Sequence, residues 1–535
     1  MRIALLSWES KHSIAVGGLG EHVTELGTAL CQRGHEVHVF TRIGDGQTGY
    51  DCIDGVHYHR CPFEPHADFL INIERMCDSL VWHLAEAESY LNEPFDVVHG
   101  HDWLTVQALT QLKNRHDRPT VLTIHSTEFG RCGNQLQEGV SRRIREIEWE
   151  GTYIAEEVIC VSGMLQNEVQ RLYATPGDKM HVIYNGIDVK RFDARINTRS
   201  ARRRHAIGAD DPMVLFAGRM TRQKGPDLLV EAMPALLKEH AAAKFVFAGE
   251  GDMLAGLERR VASLGITAAT RFVGHRVGPD LVGLFKSADV VCVPSRNEPF
   301  GIVILEAWGA RKPVVATRNG GPAEFVTHET TGLTVSGDQD SIGWGLRTIL
   351  SDKVKGRQMG RAGRKEAVSH FSWNTIAAAT ERVYHTALEN RVYGRPNMPA
   401  EKERTPMAPR QSAKPAGSGG TARLSKPKAA KAAESAKTTE AAKSTKATKA
   451  STTARATPVA KTGGSAAQRP APQTTPAPRE ARPASGITPS SGPNADQIRQ
   501  RAFEIYLARD CAPGDPMADW LQAERDLREL YAVQS

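Results

Sequence analysis

The chain has 535 residues, 40% of them hydrophobic and 24% charged, so it can form two or three domains with buried cores. This composition excludes a chain that is disordered throughout. The formal net charge of +7 is concentrated, because residues 401–490 contain 17 Lys and Arg against 5 Asp and Glu, which leaves the rest at −5. A polyanion contact is therefore expected only through that basic segment.

Eight cysteines are scattered along the chain, without a CxxC pair or a Cys/His cluster at zinc-ligand spacing. A reducing compartment is the simplest interpretation. The N-terminus enters a short apolar strand at once and lacks the hydrophobic region of a secretory signal. Since no apolar run approaches the roughly 20 residues of a membrane-spanning helix, we expect a cytoplasmic protein with no transmembrane segment.

Short β-rich runs alternate with helical patterns over the first 390 residues, and the rhythm restarts after an Arg-rich stretch at 195–204. This alternation predicts an α/β protein with two Rossmann-like, doubly wound domains, at 1–190 and 191–372, and a helix at 373–395 that crosses back to the first domain. Ligands are expected in the cleft between the domains, beyond the carboxyl ends of the strands. The predicted strands include residues 37–40, 97–99, 120–124, 158–161, 213–216, 244–247, 290–293 and 313–316.

The composition changes to Ala, Lys, Thr, Pro and Ser after residue 395. We predict a disordered linker at 396–493, because such a segment cannot bury enough apolar surface to offset its ordering entropy. The apolar spacing of Ile498, Ala502 and Ile505, followed by a break at Pro513-Gly514, predicts a small helical hairpin at 494–535.

A glycine-rich turn, Gly17-Gly18-Leu19-Gly20, follows the first strand and opens a helix. Glycines let the backbone approach a ligand closely, and a helix N-terminus offers free N–H groups to an anion. Taken alone this signal is weak, because many strand-to-helix turns are glycine-rich only for tightness. The dinucleotide-binding spacing GxGxxG is absent.

Two cations, Arg219 and Lys224, follow the first predicted strand of the second domain. At a strand's carboxyl end they can hold a diphosphate and stabilise its charge as it leaves. The alternative is an ordinary solvated loop.

Two carboxylates, Glu298 and Glu306, flank a predicted helix start at Pro299-Phe300-Gly301. Both can face one crevice in which the amides of Gly301, Ile302 and Val303 are free. This arrangement suits a ligand that has sugar hydroxyls at both ends and phosphate between them.

Residues 1–392 resemble the retaining glycosyltransferases of the GT-B architecture, in which two glutamates separated by seven residues are a hallmark. Within that group the chain looks most like glycogen-synthase-type α-glucan enzymes. The resemblance rests on the glycine-rich turn, on Val-His-Gly-His-Asp-Trp at 98–103 and on Thr-Ile-His-Ser-Thr-Glu at 123–128. Val16 departs from the Lys that many glycogen and starch synthases carry there, so the base of the donor and the acceptor stay open.

The resemblance implies a retaining transfer of a sugar, with glucose from ADP- or UDP-glucose and an α-1,4-glucan acceptor expected. Arg219 and Lys224 would bind the diphosphate and Glu306 the ribose. Glu298, His125 and Asp102 would contact the donor sugar. Gly18 would line the phosphates, together with the backbone amides of Gly301, Ile302 and Val303. Neither a cofactor nor a metal is expected, because the two cations supply the charge.

Two alternatives stay open. One is transfer of mannose, N-acetylglucosamine or another sugar to a lipid, small-molecule or envelope acceptor. The other is a catalytically silent protein that binds carbohydrate or polyanion, against which the intact Arg219, Lys224, Glu298 and Glu306 argue. Among the histidines, His35, His38, His57 and His59 are interpreted as structural and His101 as no more than support for Asp102.

Overall fold

The computed structural model describes residues 1–15, 17–393, 501, 522–523 and 525–527. The predicted linker lies outside the described residues, and so does most of the predicted hairpin. The six described residues of the hairpin are helical. Among them, the Arg501 guanidinium donates two hydrogen bonds to Asp526, at 2.9 and 3.0 Å, so an ion pair joins the two segments predicted as helices.

An eight-stranded sheet is formed within residues 2–182. Its strands are β1 (Arg2–Leu6), β2 (Glu36–Arg42), β3 (Tyr50–Ile53), β4 (Val56–Cys61), β5 (Val97–His101), β6 (Thr120–Ile124), β7 (Glu157–Cys160) and β8 (Met180–Val182). They lie in the order β3-β4-β2-β1-β5-β6-β7-β8. All neighbours are parallel except β3 and β4. The central strands β5 and β6 are buried throughout, as expected of a parallel sheet covered on both faces.

Six helices connect these strands, and polar side chains begin three of them. Asp68 accepts from the amides of Leu70 and Ile71, Ser162 from Leu165, and Thr127 from Gly130, which satisfies backbone donors at the helix starts. The helices are α1 (Gly18–Gln32), α2 (Phe69–Leu91), α3 (Val106–His116), α4 (Glu128–Arg131), α5 (Val140–Ile154) and α6 (Gly163–Tyr173).

A second, fully parallel sheet begins at residue 213. Its strands are β9 (Met213–Ala217), β10 (Lys244–Ala248), β11 (Thr270–Gly274), β12 (Val290–Val293), β13 (Val314–Thr317) and β14 (Leu333–Val335). They lie in the order β11-β10-β9-β12-β13-β14, so the direction of winding reverses between β9 and β12. A ligand site is expected at that switch point. The two sheets confirm the predicted fold class.

Nine α-helices lie between residues 198 and 393. They are α7 (Thr198–Arg204), α8 (Pro226–Glu239), α9 (Leu254–Ser263), α10 (Gly278–Ser287), α11 (Ile302–Gly309), α12 (Pro322–Phe325), α13 (Gln339–Ser351), α14 (Lys353–His370) and α15 (Trp373–Tyr393). None of the described helices is both long enough and apolar enough to cross a bilayer.

The last helix, α15, packs on the first sheet rather than the second. Ile376 and Tyr384 are buried in one core with Val23 and Leu26 of α1. The Tyr384 hydroxyl lies 2.8 Å from Nδ1 of His99 in β5. The chain therefore returns to the first sheet after completing the second.

Candidate active site

The glycine-rich turn brings the first sheet against the second at the cleft. Helix α1 begins at Gly18, and a Cβ added to this glycine would lie 3.1 Å from Cδ1 of Ile302, the first residue of α11. A side chain here would require Cδ1 of Ile302 to shift by a few tenths of an ångström. The Gly17 amide donates to the Glu9 carboxylate at 2.8 Å, which fixes the turn. Gly18 and Ile302, both predicted to line the phosphates, are thus neighbours.

Asp102 and His125 lie together at the carboxyl ends of β5 and β6. The His125 backbone amide donates to the Asp102 carboxylate at 2.8 Å, and the Asp102 amide donates to Thr123 at 2.8 Å. Asp102 adopts a left-handed φ of +61°, which is unusual for a residue with a side chain and is common at functional sites. Burial raises the pKa of Asp102.

A buried ionic network holds the loop that follows His125. Glu148, 1% exposed on α5, accepts from the Glu128 amide at 2.8 Å and from Arg131 at 2.5 Å, and Tyr173 also donates to it. Arg131 in turn donates to the Ser126 carbonyl at 2.9 Å. Burial raises the pKa of Glu148 to about 7 although Arg131 opposes that shift. Sequence reasoning missed this network, whose only signal is a glutamate on the apolar face of an amphipathic helix.

On the opposite wall, Lys224 and Glu298 form an ion pair. The Lys224 ammonium donates to both oxygens of Glu298, at 2.7 and 2.8 Å, and the Ser295 hydroxyl donates to Oε2 at 2.7 Å. Glu298 is 3% exposed. Arg219, by contrast, is exposed, with its nearest side-chain partner, Gln223, at 3.5 Å. The guanidinium is therefore available to an anion in the cleft.

The backbone around Glu298 is held against a neighbouring loop. Its amide donates to the Asn319 carbonyl at 2.8 Å, and its carbonyl accepts from the Gly321 amide at 2.9 Å. Gly320 between them has φ of +112°, and a Cβ there would lie 2.1 Å from the Glu298 carbonyl oxygen. Glycine at this position is what lets the two loops approach.

Helix α11 starts beside this loop, after Gly301 with φ of +102°. Among the described residues, the amides of Gly301, Ile302 and Val303 donate to no carbonyl or side chain. Free first-turn amides and the helix dipole together favour a bound anion. The three amides predicted to bind phosphate thus lie next to the Lys224–Glu298 pair.

Glu306, near the end of α11, pairs with Arg191, which the sequence analysis did not single out. Arg191 lies in a short 3-10 helix (Val189–Asp193) and donates to Glu306 and to Glu21 of α1, each at 2.5 Å. Burial raises the pKa of Glu306 to about 7, and Arg191 opposes that shift. One guanidinium therefore links the predicted ribose-binding carboxylate to the first sheet.

Four histidines cluster beneath the glycine-rich turn. Burial lowers the pKa of His22, His99 and His101 well below the ordinary value and that of His125 to about 3, so all four are neutral near pH 7. The ring centroids of His99 and His101 lie 4.2 Å apart, with the ring planes tilted by 33°. The interpretation of His101 as support for Asp102 is incomplete, since its Nδ1 lies 3.2 Å from Nε2 of His125. His22 was missed because its partners are distant in sequence.

The walls of the cleft also touch directly. Asn297 donates to Asn134 at 2.7 Å and to Glu168 at 3.1 Å, and the Ser162 hydroxyl donates to the Pro299 carbonyl at 2.6 Å. Of the residues predicted to form the site, the structure places His125, Asp102 and Gly18 on one wall and Arg219, Lys224, Glu298 and the start of α11 on the other. Cations and free amides on one wall, facing an imidazole and a carboxylate on the other, are chemically suited to a sugar joined to a diphosphate.

Comparison with known families divides the chain in the same way. Residues 16–191 match the family described as Glycosyltransferase Family 4, and residues 197–366 match Glycosyl transferases group 1. Residues 493–529 match a family described as a protein of unknown function, DUF2934.

Individual proteins are similar over nearly their whole length. An uncharacterised glycosyltransferase of Methanocaldococcus jannaschii is 40% identical over 397 residues, which are 73% of this chain and 99% of that protein. The glycogen synthase of Mycobacterium tuberculosis is 31% identical and covers 76% of this chain and 100% of its own. The sucrose-phosphate synthase structure from Thermosynechococcus elongatus superposes with a TM-score of 0.62 at 25% identity, over 72% of this chain and 98% of that one. The chain therefore belongs to the group 1 glycosyltransferases of the GT-B fold.

Proposed function

We propose that the protein is a retaining glycosyltransferase that moves glucose from ADP- or UDP-glucose to an α-1,4-glucan. The observation that carries the proposal is the position of the Lys224–Glu298 pair beside the free amides of Gly301, Ile302 and Val303. A positive charge and open amides for the phosphates thus adjoin a buried carboxylate for the sugar. The similarity to glycogen synthase over the full length of that enzyme supports glucan as the acceptor.

The donor is held at three points. Arg219 and Lys224 bind the diphosphate, with the start of α11 and the Gly18 turn closing over it. Glu306 accepts hydrogen bonds from the ribose and exchanges part of its contact with Arg191 to do so. Glu298, His125 and Asp102 contact the sugar from the two walls. Such fixed groups lower the barrier by orientation and by stabilising the charge that develops on the leaving diphosphate.

Transfer proceeds on the front face of the sugar. The bond between the anomeric carbon and the diphosphate oxygen breaks, and the acceptor hydroxyl oxygen bonds to that carbon from the same side. The acceptor proton passes to the departing diphosphate, so no protein nucleophile is needed. The cations Arg219 and Lys224 stabilise the leaving charge, and we therefore propose that no metal ion is required for turnover.

A donor and acceptor screen tests this proposal. The full chain is incubated with ADP-glucose, UDP-glucose, GDP-mannose and UDP-N-acetylglucosamine, with and without maltooligosaccharides, in the presence of EDTA. We expect transfer from a glucose donor to the oligosaccharide, with an α-configured new linkage by proton NMR and full activity under chelation.

A matched pair of lysine variants on neighbouring segments controls for contaminating activity. Lys224→Ala should abolish most transfer, whereas Lys238→Ala, which removes an exposed lysine of α8, should not. Transfer only from a non-glucose donor, a β-configured product or loss of activity in EDTA would each contradict the corresponding part of the proposal.

A further inference from the structure

Three histidine rings converge at one point below the cleft. His22 comes from α1, His101 ends β5, and His125 follows β6. One ring nitrogen of each lies within 4.8 Å of the other two. Among the described residues, no other group of three histidine, cysteine, aspartate or glutamate ligand atoms converges in this way.

One nitrogen of the His22 ring has an oxygen acceptor. Its Nδ1 donates to the amide oxygen of Asn185 at 2.7 Å. The proton is thereby held on Nδ1, and Nε2 keeps its lone pair. Metal-binding histidines commonly have their second nitrogen fixed by an oxygen acceptor in this manner, which sets both the tautomer and the ring orientation.

The other two rings are also spaced for a shared ion. Nδ1 of His101 lies 3.2 Å from Nε2 of His125, and two nitrogens bound to one tetrahedral zinc at 2.0–2.1 Å lie about 3.4 Å apart. Nε2 of His101 is buried without a hydrogen-bond partner among the described residues. No hydrogen bond outside the cluster therefore commits the His101 ring, and packing on His99 holds it in place.

We propose that His22, His101 and His125 bind a divalent transition-metal ion of the zinc class, and that this ion inhibits the enzyme. Three neutral imidazoles suit such an ion and leave a fourth position for water. His125 is partly exposed, so the ion enters from the cleft. Binding removes His125 from the donor sugar. Metal binding does not depend on the proposed function, whereas the inhibition does.

A second histidine group in the same sheet supplies a matched control. His38 and His59 bond to each other at 2.9 Å, and His57 lies 2.7 Å from the Tyr50 hydroxyl. These rings stack, with His38 and His57 centroids 4.4 Å apart, instead of pointing at a common centre. Substituting His57 therefore removes a clustered histidine without touching the proposed metal site.

The test uses the full chain without a polyhistidine tag. Co²⁺ titration is followed by visible absorption, and the Zn²⁺ Kd is measured by competition with a chromophoric chelator. We expect one equivalent of either metal and the intense visible bands of four-coordinate Co²⁺. His22→Gln should remove the bands, and Asn185→Ala should weaken Zn²⁺ binding by about 10- to 100-fold because the ring loses its orienting partner. His57→Gln should behave as the wild-type protein does.

Thermal unfolding of each variant separates loss of a ligand from loss of the fold. A folded His22→Gln variant that still binds one equivalent, or loss of binding in His57→Gln, would overturn the site. Transfer activity is then assayed with added Zn²⁺. The ion should inhibit the wild-type enzyme and the His57→Gln variant to the same extent. Zn²⁺ binding without inhibition would refute the regulatory role and leave the metal site standing. A wild-type protein that shows the Co²⁺ bands but has no transfer activity would contradict the proposed function and not the metal site.

Discussion

Lys224 donates hydrogen bonds to both carboxylate oxygens of Glu298, at 2.7 and 2.8 Å. Lys224 is 23% exposed at its side chain and Glu298 only 4%, so the cation faces the cleft while the carboxylate lies behind it. The positive charge proposed for the diphosphate and the acceptor proposed for the sugar thus meet at one place. In the proposed function, this place adjoins the bond that breaks between sugar and phosphate.

The first prediction concerns Lys224. Lys224→Ala should lower kcat by roughly 100-fold or more, because a preorganised charge acts more strongly on the developing diphosphate than on the bound donor. Steady-state kinetics measure the change, with Lys238→Ala as the control for loss of a surface lysine. The Tm of both variants must be compared, since the substitution leaves a buried carboxylate without its cation. A folded Lys224→Ala variant with wild-type kcat would contradict the assignment.

The second prediction separates Glu298 from nucleotide binding. Glu298→Gln keeps the size of the side chain and one oxygen acceptor for Lys224 but removes the negative charge near the anomeric centre. We expect kcat to fall while the Kd of the free nucleoside diphosphate stays close to the wild-type value. Isothermal titration calorimetry and initial rates give the two quantities. If nucleotide affinity fell together with kcat, Glu298 would belong to the nucleotide site instead.

Some elements of the fold could be predicted from the sequence and others could not. Strands β6 and β12 were predicted with their observed bounds, because each is a buried run of mainly β-branched residues between polar loops. Strand β3 was not predicted, since this short antiparallel edge strand is partly exposed and has little pattern. The start of α11 was predicted next to Gly301, because the residues that mark it are adjacent in the chain.

Contacts between distant segments could not be read in the same way. Arg191 meets Glu21 and Glu306 across 170 and 115 residues of sequence, and nothing in the polar stretch around it distinguishes it from a solvated arginine. The contacts of His22 likewise come from distant segments: Asn185, and the histidines at the ends of β5 and β6. Residue type and local spacing predict which side chains are able to act, whereas tertiary packing decides their partners.

The third prediction is a pH dependence carried by Glu306. Burial raises its pKa from 4.5 to about 7 in the folded protein, so the carboxyl ionises only as the pH rises through that value. An ionised carboxylate accepts ribose hydroxyls better, and its fraction increases up to about tenfold between pH 6 and pH 8. The Kd of a nucleotide sugar, whose phosphates do not titrate in this range, should therefore fall by up to about 10-fold.

Glu306→Gln should weaken nucleotide binding and remove that pH dependence. The stability effect has the opposite direction: because folding raises this pKa, the contribution of Glu306 to the free energy of unfolding is complete below about 4.5 and is lost as the pH rises through about 7. Urea unfolding of the wild-type and variant proteins at pH 6 and pH 8 tests whether Glu306 makes the free energy of unfolding fall as the pH rises. A nucleotide-sugar Kd with the same pH profile in both proteins would show that another group titrates.

The fourth prediction tests how the backbone positions Glu298. Gly320→Ala introduces a Cβ that would lie 2.1 Å from the Glu298 carbonyl oxygen, at a φ of +112° that side chains rarely adopt. The loops must separate, which disturbs the Glu298–Asn319 and Gly321–Glu298 hydrogen bonds. Backbone strain of this kind costs about 1–3 kcal/mol, and we expect at least that loss in the free energy of unfolding together with a lower kcat.

Gly256→Ala is the matched control, because this glycine lies inside α9 with no atom within 4 Å of an added Cβ. Alanine there should leave kcat unchanged and stabilise the helix by about 0.5–1 kcal/mol. Equal stability and kcat in the two alanine variants would show that Glu298 is positioned by its side-chain contacts with Lys224 and Ser295 and not by the Gly320 loop.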